Sequence, residues 1–147
     1  GNALTFGVML LIVFLVWARA ASMVHVFFPM KADPDWSELT LFLAVGTAVG
    51  SVFAAVIFAA SAFSLPMIMD RRTDTVTAVV TSINAVLRNK GPMLVWAALI
   101  VAGVAVGLLT GLLAWLVVMP VIGYATWHGY RETIDASGWP SHEDEPA

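Results

Sequence analysis

Two histidines, His25 and His128, are the side chains whose type best fits cofactor chemistry, since a single imidazole can ligate a haem or a chlorophyll-type pigment. Arg19 is the one charged residue in a long apolar run, where it would serve as a structural counter-charge or as a contact for an ion or substrate. Arg71, Arg72, Arg88 and Lys90 form a basic stretch able to attract anionic lipid headgroups, at about 1 kcal/mol per residue near a membrane surface. The absence of cysteine removes disulfides, iron-sulfur clusters, thiolate zinc sites and cysteine nucleophiles, and leaves the redox compartment undetermined. The sequence has no glycine-rich phosphate loop, no His-x-x-x-His pair, no Gly-x-Ser-x-Gly elbow and no pair of carboxylates inside an apolar run. The expectation is therefore a protein that is not an enzyme, with no metal site and no cofactor unless a histidine holds a haem or pigment.

Composition sets the solvent. With 60% hydrophobic and 12% charged residues, the 147-residue chain carries about half the charge of a typical soluble domain, where about 25% is usual. The 7 basic and 10 acidic residues give a net charge of −3, with no basic stripe to neutralise phosphates, so nucleic acid is excluded as a partner and the lipid bilayer is the expected one.

The elements follow from the apolar runs. Residues 3–28 are long enough to cross a core of about 30 Å and contain only Arg19. They have neither the basic start nor the short apolar region of a signal peptide, and without an initiator Met the chain is expected to begin inside something larger or after processing. Pro29 ends this span, and a water-facing loop with Lys31, Pro34 and Trp36 leads to Ser37 as the expected start of a second span, residues 39–66, ending near Pro66. After Asp70, Arg71 and Arg72, the spacing of Val76, Val79, Val80, Ile83 and Val86 or Leu87 among Thr75, Thr77, Thr81, Ser82, Asn84 and Arg88 predicts an amphipathic helix. It covers residues 73–89, with Thr73 as N-cap and Asp74 in the first turn, and is expected to lie flat at the membrane surface.

Residues 93–130 contain no charge. As one helix they would measure about 57 Å, nearly twice the hydrocarbon core, so the run is divided at Thr110-Gly111 into spans 112–130 and 93–109, with Pro120 kinking the later one. Segment 70–90 collects Arg71, Arg72, Arg88 and Lys90 against Lys31 alone in the first loop, which places it in the cytoplasm. Four spans return Arg131 to the same side; the alternative of three spans would put it outside. With four spans His25 and His128 lie at opposite faces and cannot share one haem, whereas three spans would allow it. Residues 132–147, with Ser141, His142, Glu143, Asp144 and Glu145, read as a polar disordered tail beyond a single membrane domain, 1–131. Trp17, Trp96, Trp127 and Trp139 suit interface anchors, and Trp115 has no such place.

Small residues supply the packing signal. Gly46, Gly50 and Ala54 recur at four-residue spacing with Thr47, Ser51 and Ala55 beside them, and Gly103, Gly107 and Gly111 repeat the spacing, although Gly111 also suits the turn. In lipid, close backbone approach at small residues drives helix association, within the chain or onto another subunit.

The motifs Ser64-Leu-Pro-Met-Ile-Met-Asp70, Ser82-Ile-Asn-Ala-Val-Leu-Arg-Asn89 and Gly123-Tyr-Ala-Thr-Trp-His128-Gly-Tyr-Arg131 resemble the bacterial integral-membrane family catalogued as domain of unknown function 2189. The similarity runs from about Val16 to Arg131, and Tyr124 stands where the family commonly has His. The resemblance implies six spans with both ends cytoplasmic, of which this chain would be the last four, and implies no activity. The reading is an all-α polytopic protein of the bacterial inner membrane with four spans and one interfacial helix. Its expected role is that of an accessory subunit packing against other membrane subunits of a respiratory or photosynthetic complex. A small transporter or channel built on Arg19 and the breaks at Pro66 and Pro120 is the alternative, and a haem or pigment binder the third.

Overall fold

The computed structural model describes residues 1–29, 31, 33 and 35–142. Six helices follow one another: α1 (Asn2–Phe27), α2 (Trp36–Ser61), α3 (Ser64–Asp70), α4 (Thr75–Arg88), α5 (Lys90–Leu109) and α6 (Trp115–Thr133). The fold is all-α and polytopic. By length and composition, three stretches among the described residues can cross a membrane: Asn2–Phe27, Trp36–Asp70 and Lys90–Leu109. The chain forms two compact units, one holding Gly1 and residues 3–57, the other Asn2 and the residues from Phe58 onward.

The first unit contains α1 and most of α2. The second helix starts before the position read from the sequence, because Asp35 and not Ser37 caps it: the Asp35 carboxylate accepts from the Glu38 amide at 2.8 Å and from the Ser37 hydroxyl at 2.9 Å. Those bonds hold the Asp35 carboxyl below its usual range. Lys31 pairs with Glu38 in the first turn. Pro34, counted in the loop, lies outside the described residues. No residue of α2 is buried.

The second unit opens on a broken helix. The chain turns at Ala62 and Phe63 and resumes as α3, so the break comes before Pro66, which sits in the first turn of α3 where a missing N–H costs nothing. The cause is a hydroxyl inserted into the helical ladder. In an unbroken helix the Phe63 amide would donate to the Ala59 carbonyl; here it donates to Ser82 Oγ at 3.1 Å, and that hydroxyl donates to Ala59 O at 2.8 Å. Ser64 Oγ takes the next carbonyl, Ala60 O. Phe63, Ser64, Met67 and Ser82 are almost fully buried around this point.

The Ser82 insertion sets how α4 is used. Asp74, not Thr73, caps the helix, because its carboxylate accepts from both the Thr77 amide (2.9 Å) and the Thr77 hydroxyl (2.6 Å), while Thr73 is buried behind it. Thr75, Ala78 and Ser82 form the buried face, so Thr75 and Ser82 do not belong to the water-facing side where the sequence periodicity had put them. Val76, Val80 and Leu87 remain outside, between 50% and 63% exposed. The helix therefore has three faces: a small hydroxylated one on the protein, an apolar one left uncovered, and a polar one carrying Asn84 and Arg88.

From Lys90 the chain forms a helical hairpin. Gly111 adopts a left-handed φ of 62°, and its amide donates to Leu108 O while the Leu112 amide donates to Gly107 O at 2.7 Å. This is a Schellman closure, and it assigns Gly111 to the turn and not to a packing stripe. The helix α6 begins at Trp115, three residues after the predicted start, and keeps Pro120 inside. It runs back along α5: a Cβ on Gly103 would stand 2.9 Å from Val118 Cγ1, and Gly107 lies directly beneath the Trp115 indole. Trp115 thus fills a slot that only glycine leaves open. At 19 residues α6 is about 28 Å long, but its second half is aromatic and polar, which keeps it outside the three apolar spans.

Candidate functional site

The polar junction of the second unit lies where α3 ends and α6 ends. Asp70 is the last residue of α3, and its Oδ2 accepts from Arg71 Nε at 2.9 Å and from the Tyr130 hydroxyl at 2.8 Å, the latter across 60 residues of sequence. Tyr130 is 1% exposed, so its proton is committed to this carboxylate. The ends of two of the sequence motifs, Ser64 to Asp70 and Gly123 to Arg131, therefore meet in one hydrogen bond.

The segment after α6 is strapped onto the same place. Arg71 Nη1 donates to Trp139 O at 3.1 Å, the Arg72 amide donates to Pro140 O at 2.9 Å, and His142 Nε2 lies 3.3 Å from Ile68 O, a carbonyl of the last turn of α3. Ala136 is buried. Residues 132–142 are thus ordered and not the free tail expected from their polarity, because Arg71 and the C-terminal carbonyls of α3 supply partners that composition does not reveal. Glu143, Asp144 and Glu145 lie outside the described residues. The Asp135 carboxyl is held below its usual range by the Ser137 hydroxyl and amide.

Two clefts of about 390 and 330 Å³ flank the junction, and Asp70, Arg71 and Arg131 line both. Trp127 and His142 border the smaller one. Arg131 is exposed in the last turn of α6, where its charge complements the helix C-terminus. Chemically the junction is a clamp: a paired carboxylate, a buried phenol and the Arg71 guanidinium hold two helix ends and a returning segment together.

The other sequence candidates fall elsewhere. Arg88 and Lys90 are exposed around the α4–α5 corner, Arg71 is in the clamp, and Arg72 follows it. His128 is exposed and packs against Tyr124 with ring centroids 4.4 Å apart and the ring planes tilted by 60°. His25, in the first unit, packs on Phe42 at 4.8 Å. Among the described residues no cluster of three or more His, Asp or Glu side chains forms a metal site. Gly50 meets the Trp17 indole, where a Cβ would stand 3.9 Å from Nε1, while Gly46 has open space beside it and Ala54 is exposed.

Arg19 stands on α1, in the first unit. The Ser22 hydroxyl donates to Ala18 O, Asp70 is taken by Arg71 and Tyr130, and among the described residues no hydrogen bond or ion pair reaches the Arg19 side chain. Arg19 lies 8 residues, or about 12 Å, before the end of α1, and a charge near a bilayer centre costs about 2.5–3.5 kcal/mol on insertion scales.

Of the residues that matter here, the sequence missed Ser82 as a helix-breaking plug and Tyr130 as the partner of Asp70. The only signal was their presence in the quoted motifs.

Residues 1–70 match the model of a family described as a predicted integral membrane protein, DUF2189. The match takes in α1, α2 and α3 and stops at Asp70, so it includes the first of the motifs that carried the resemblance and not those of residues 82–89 and 123–131. Where in the family's length the chain sits is not part of it. No curated protein and no solved structure matches the chain.

Proposed function

Starting from a chain whose residues 1–70 match an integral membrane protein family, we propose that it is a non-enzymatic accessory subunit that packs against a larger complex of the bacterial inner membrane, respiratory or photosynthetic. The observation that carries this reading is α2, a 26-residue apolar helix that buries none of its residues while Thr47, Ser51, Ala54 and Ala55 stand exposed along it. Lipid covers an apolar helix without preference, but small residues add little to lipid contact and a great deal to close helix approach. The broken helix of the second unit supports a structural role: the Ala59 and Ala60 carbonyls that a transporter would offer to an ion are already bonded by Ser82 and Ser64.

In this reading α6 completes a fourth crossing beside α5, and Arg71, Arg72, Arg88 and Lys90 mark the cytoplasmic face. There α4 lies in the interface with Val76, Val80 and Leu87 in lipid. The test is extraction of the tagged, chromosomally encoded protein in mild detergent, followed by native electrophoresis and identification of whatever migrates with it. A large complex of fixed composition supports the reading, and migration of the chain alone refutes it.

A further inference from the structure

We propose that the Arg19 face of α1 docks a transmembrane helix of another subunit that carries an aspartate or glutamate inside the bilayer, a proposal that rests on the accessory-subunit reading above. Half-buried Met9, Leu10, Val13, Ala20 and Ala21 share one side of α1, Ala18 apart, with its two buried residues, Phe6 and Val24. At about 100° per residue, Arg19 lies about 140° away from them, in line with Ile12, Leu15, Met23 and Val26, all exposed. The opposite face thus carries one positive charge in an apolar stripe.

None of these 147 residues brings a counter-charge to the depth of Arg19, and the accessory-subunit reading places it on a neighbouring subunit. All ten acidic residues lie at positions 33, 35, 38, 70, 74, 132, 135 and 143–145, so spans 3–28, 39–66, 93–109 and 112–130 contain no carboxylate at any depth. That holds however the helices are arranged. Glu38 is engaged by Lys31 and Asp70 by Arg71 and Tyr130, while Glu132 stands exposed in the last turn of α6, beyond span 112–130.

Lipid phosphate is the competing source, reached by snorkelling. The nearer end of α1 is its C-terminal end, about 12 Å away, whereas helical side chains lean toward the N-terminus, here toward the centre of the span. Snorkelling would work against that lean. A neighbouring helix that brings a carboxylate to the depth of Arg19 meets the guanidinium where it already points, with a bidentate pairing that fixes the register of the two helices.

The experiment places a benzophenone-bearing amino acid at Leu15 or Met23, one turn on either side of Arg19, in the tagged full chain expressed in its own membrane. Crosslinked peptides are identified with Arg19 intact and in Arg19→Leu and Arg19→Lys backgrounds. Neither substitution threatens insertion, since leucine is at home in the span and lysine keeps the charge. The expected result is capture of a partner peptide with an Asp or Glu in its apolar segment, a crosslink yield at least about tenfold lower in Arg19→Leu, equivalent to about 1.4 kcal/mol, and largely retained in Arg19→Lys. Undiminished capture in Arg19→Leu, a captured segment without a carboxylate, crosslinks only to lipid, or crosslinks to a second copy of this chain would each overturn the proposal. If the Arg19→Leu protein still migrates in an intact complex, only the docking proposal fails. If the wild-type protein has no companion at all, the accessory-subunit reading fails with it.

Discussion

Replacing Ser82 with alanine removes one oxygen from a fully buried site and tests the cause assigned to the break between α2 and α3. The Ser82 hydroxyl accepts from the Phe63 amide and donates to the Ala59 carbonyl, so its loss leaves two buried backbone groups without partners. Each orphaned group costs about 1–3 kcal/mol. The chain has one way to recover: the Phe63 amide can close directly onto Ala59 O and restore a continuous helix. Closure would swing α3 away from α4 and α6, uncovering Phe63 and Met67, and fully burying such side chains is worth about 1.5–3 kcal/mol apiece. Both routes cost, and the expected net loss is about 2–3 kcal/mol. Equilibrium unfolding in detergent micelles measures it. Ser51→Ala is the control, because the Ser51 hydroxyl is exposed and bonds only within its own helix, and it should stay within about 0.5 kcal/mol of the wild type. A Ser82→Ala variant as stable as that control would refute the insertion mechanism.

Further outcomes follow from other contacts. Tyr130→Phe keeps the ring and loses the bond to Asp70; a bond to a charged group is worth about 1.5–3 kcal/mol, and because the Asp70 side chain is 24% exposed and can rehydrate, the unfolding loss should sit at the low end. Gly107→Leu drives a side chain into the Trp115 indole and should cost about 1–3 kcal/mol, with Trp115→Ala in the same chain relieving most of it in a double-mutant cycle. The Asp74 carboxyl is held below its usual range by the Thr77 hydroxyl and amide, so its capping of α4 is fully present above the ordinary aspartate pKa and is lost as pH falls through the lowered one. Exchange of the α4 amides should therefore quicken only in that acid range, and Asp74→Ala should remove the pH dependence. Single cysteines, placed in a chain that has none of its own, should react with a membrane-impermeant reagent at Asn84 and at Ser137 from the same side of the membrane, and labelling from opposite sides would contradict four crossings.

The long elements were legible because each has a local cause. Apolar length predicts α1, α2 and the α5–α6 pair, and Gly111 marks the hairpin turn because the left-handed conformation there favours glycine. The first errors were also local, since Asp35 and Asp74 displace Ser37 and Thr73 as caps by offering a carboxylate one or two positions away. What the sequence did not reveal depends on partners distant in the chain. Ser82 reads as one more hydroxyl on a polar face until Phe63 and Ala59 are brought to it, and Tyr130 reads as an interfacial aromatic until Asp70 arrives. The ordered stretch after α6 has the composition of a loose tail and is held by Arg71 and by carbonyls at the end of α3, which no property of residues 132–142 predicts. Arg19 is the reverse case. Its isolation is evident in the sequence, and the described contacts leave it isolated.

The most direct test of the accessory-subunit reading is the intact mass of the particle that carries this chain, measured by native mass spectrometry after mild extraction from the membrane in which it is normally made. The reading predicts a fixed number of copies within a larger assembly of other membrane subunits. A particle with the mass of this chain alone, or of a whole multiple of it, would contradict it.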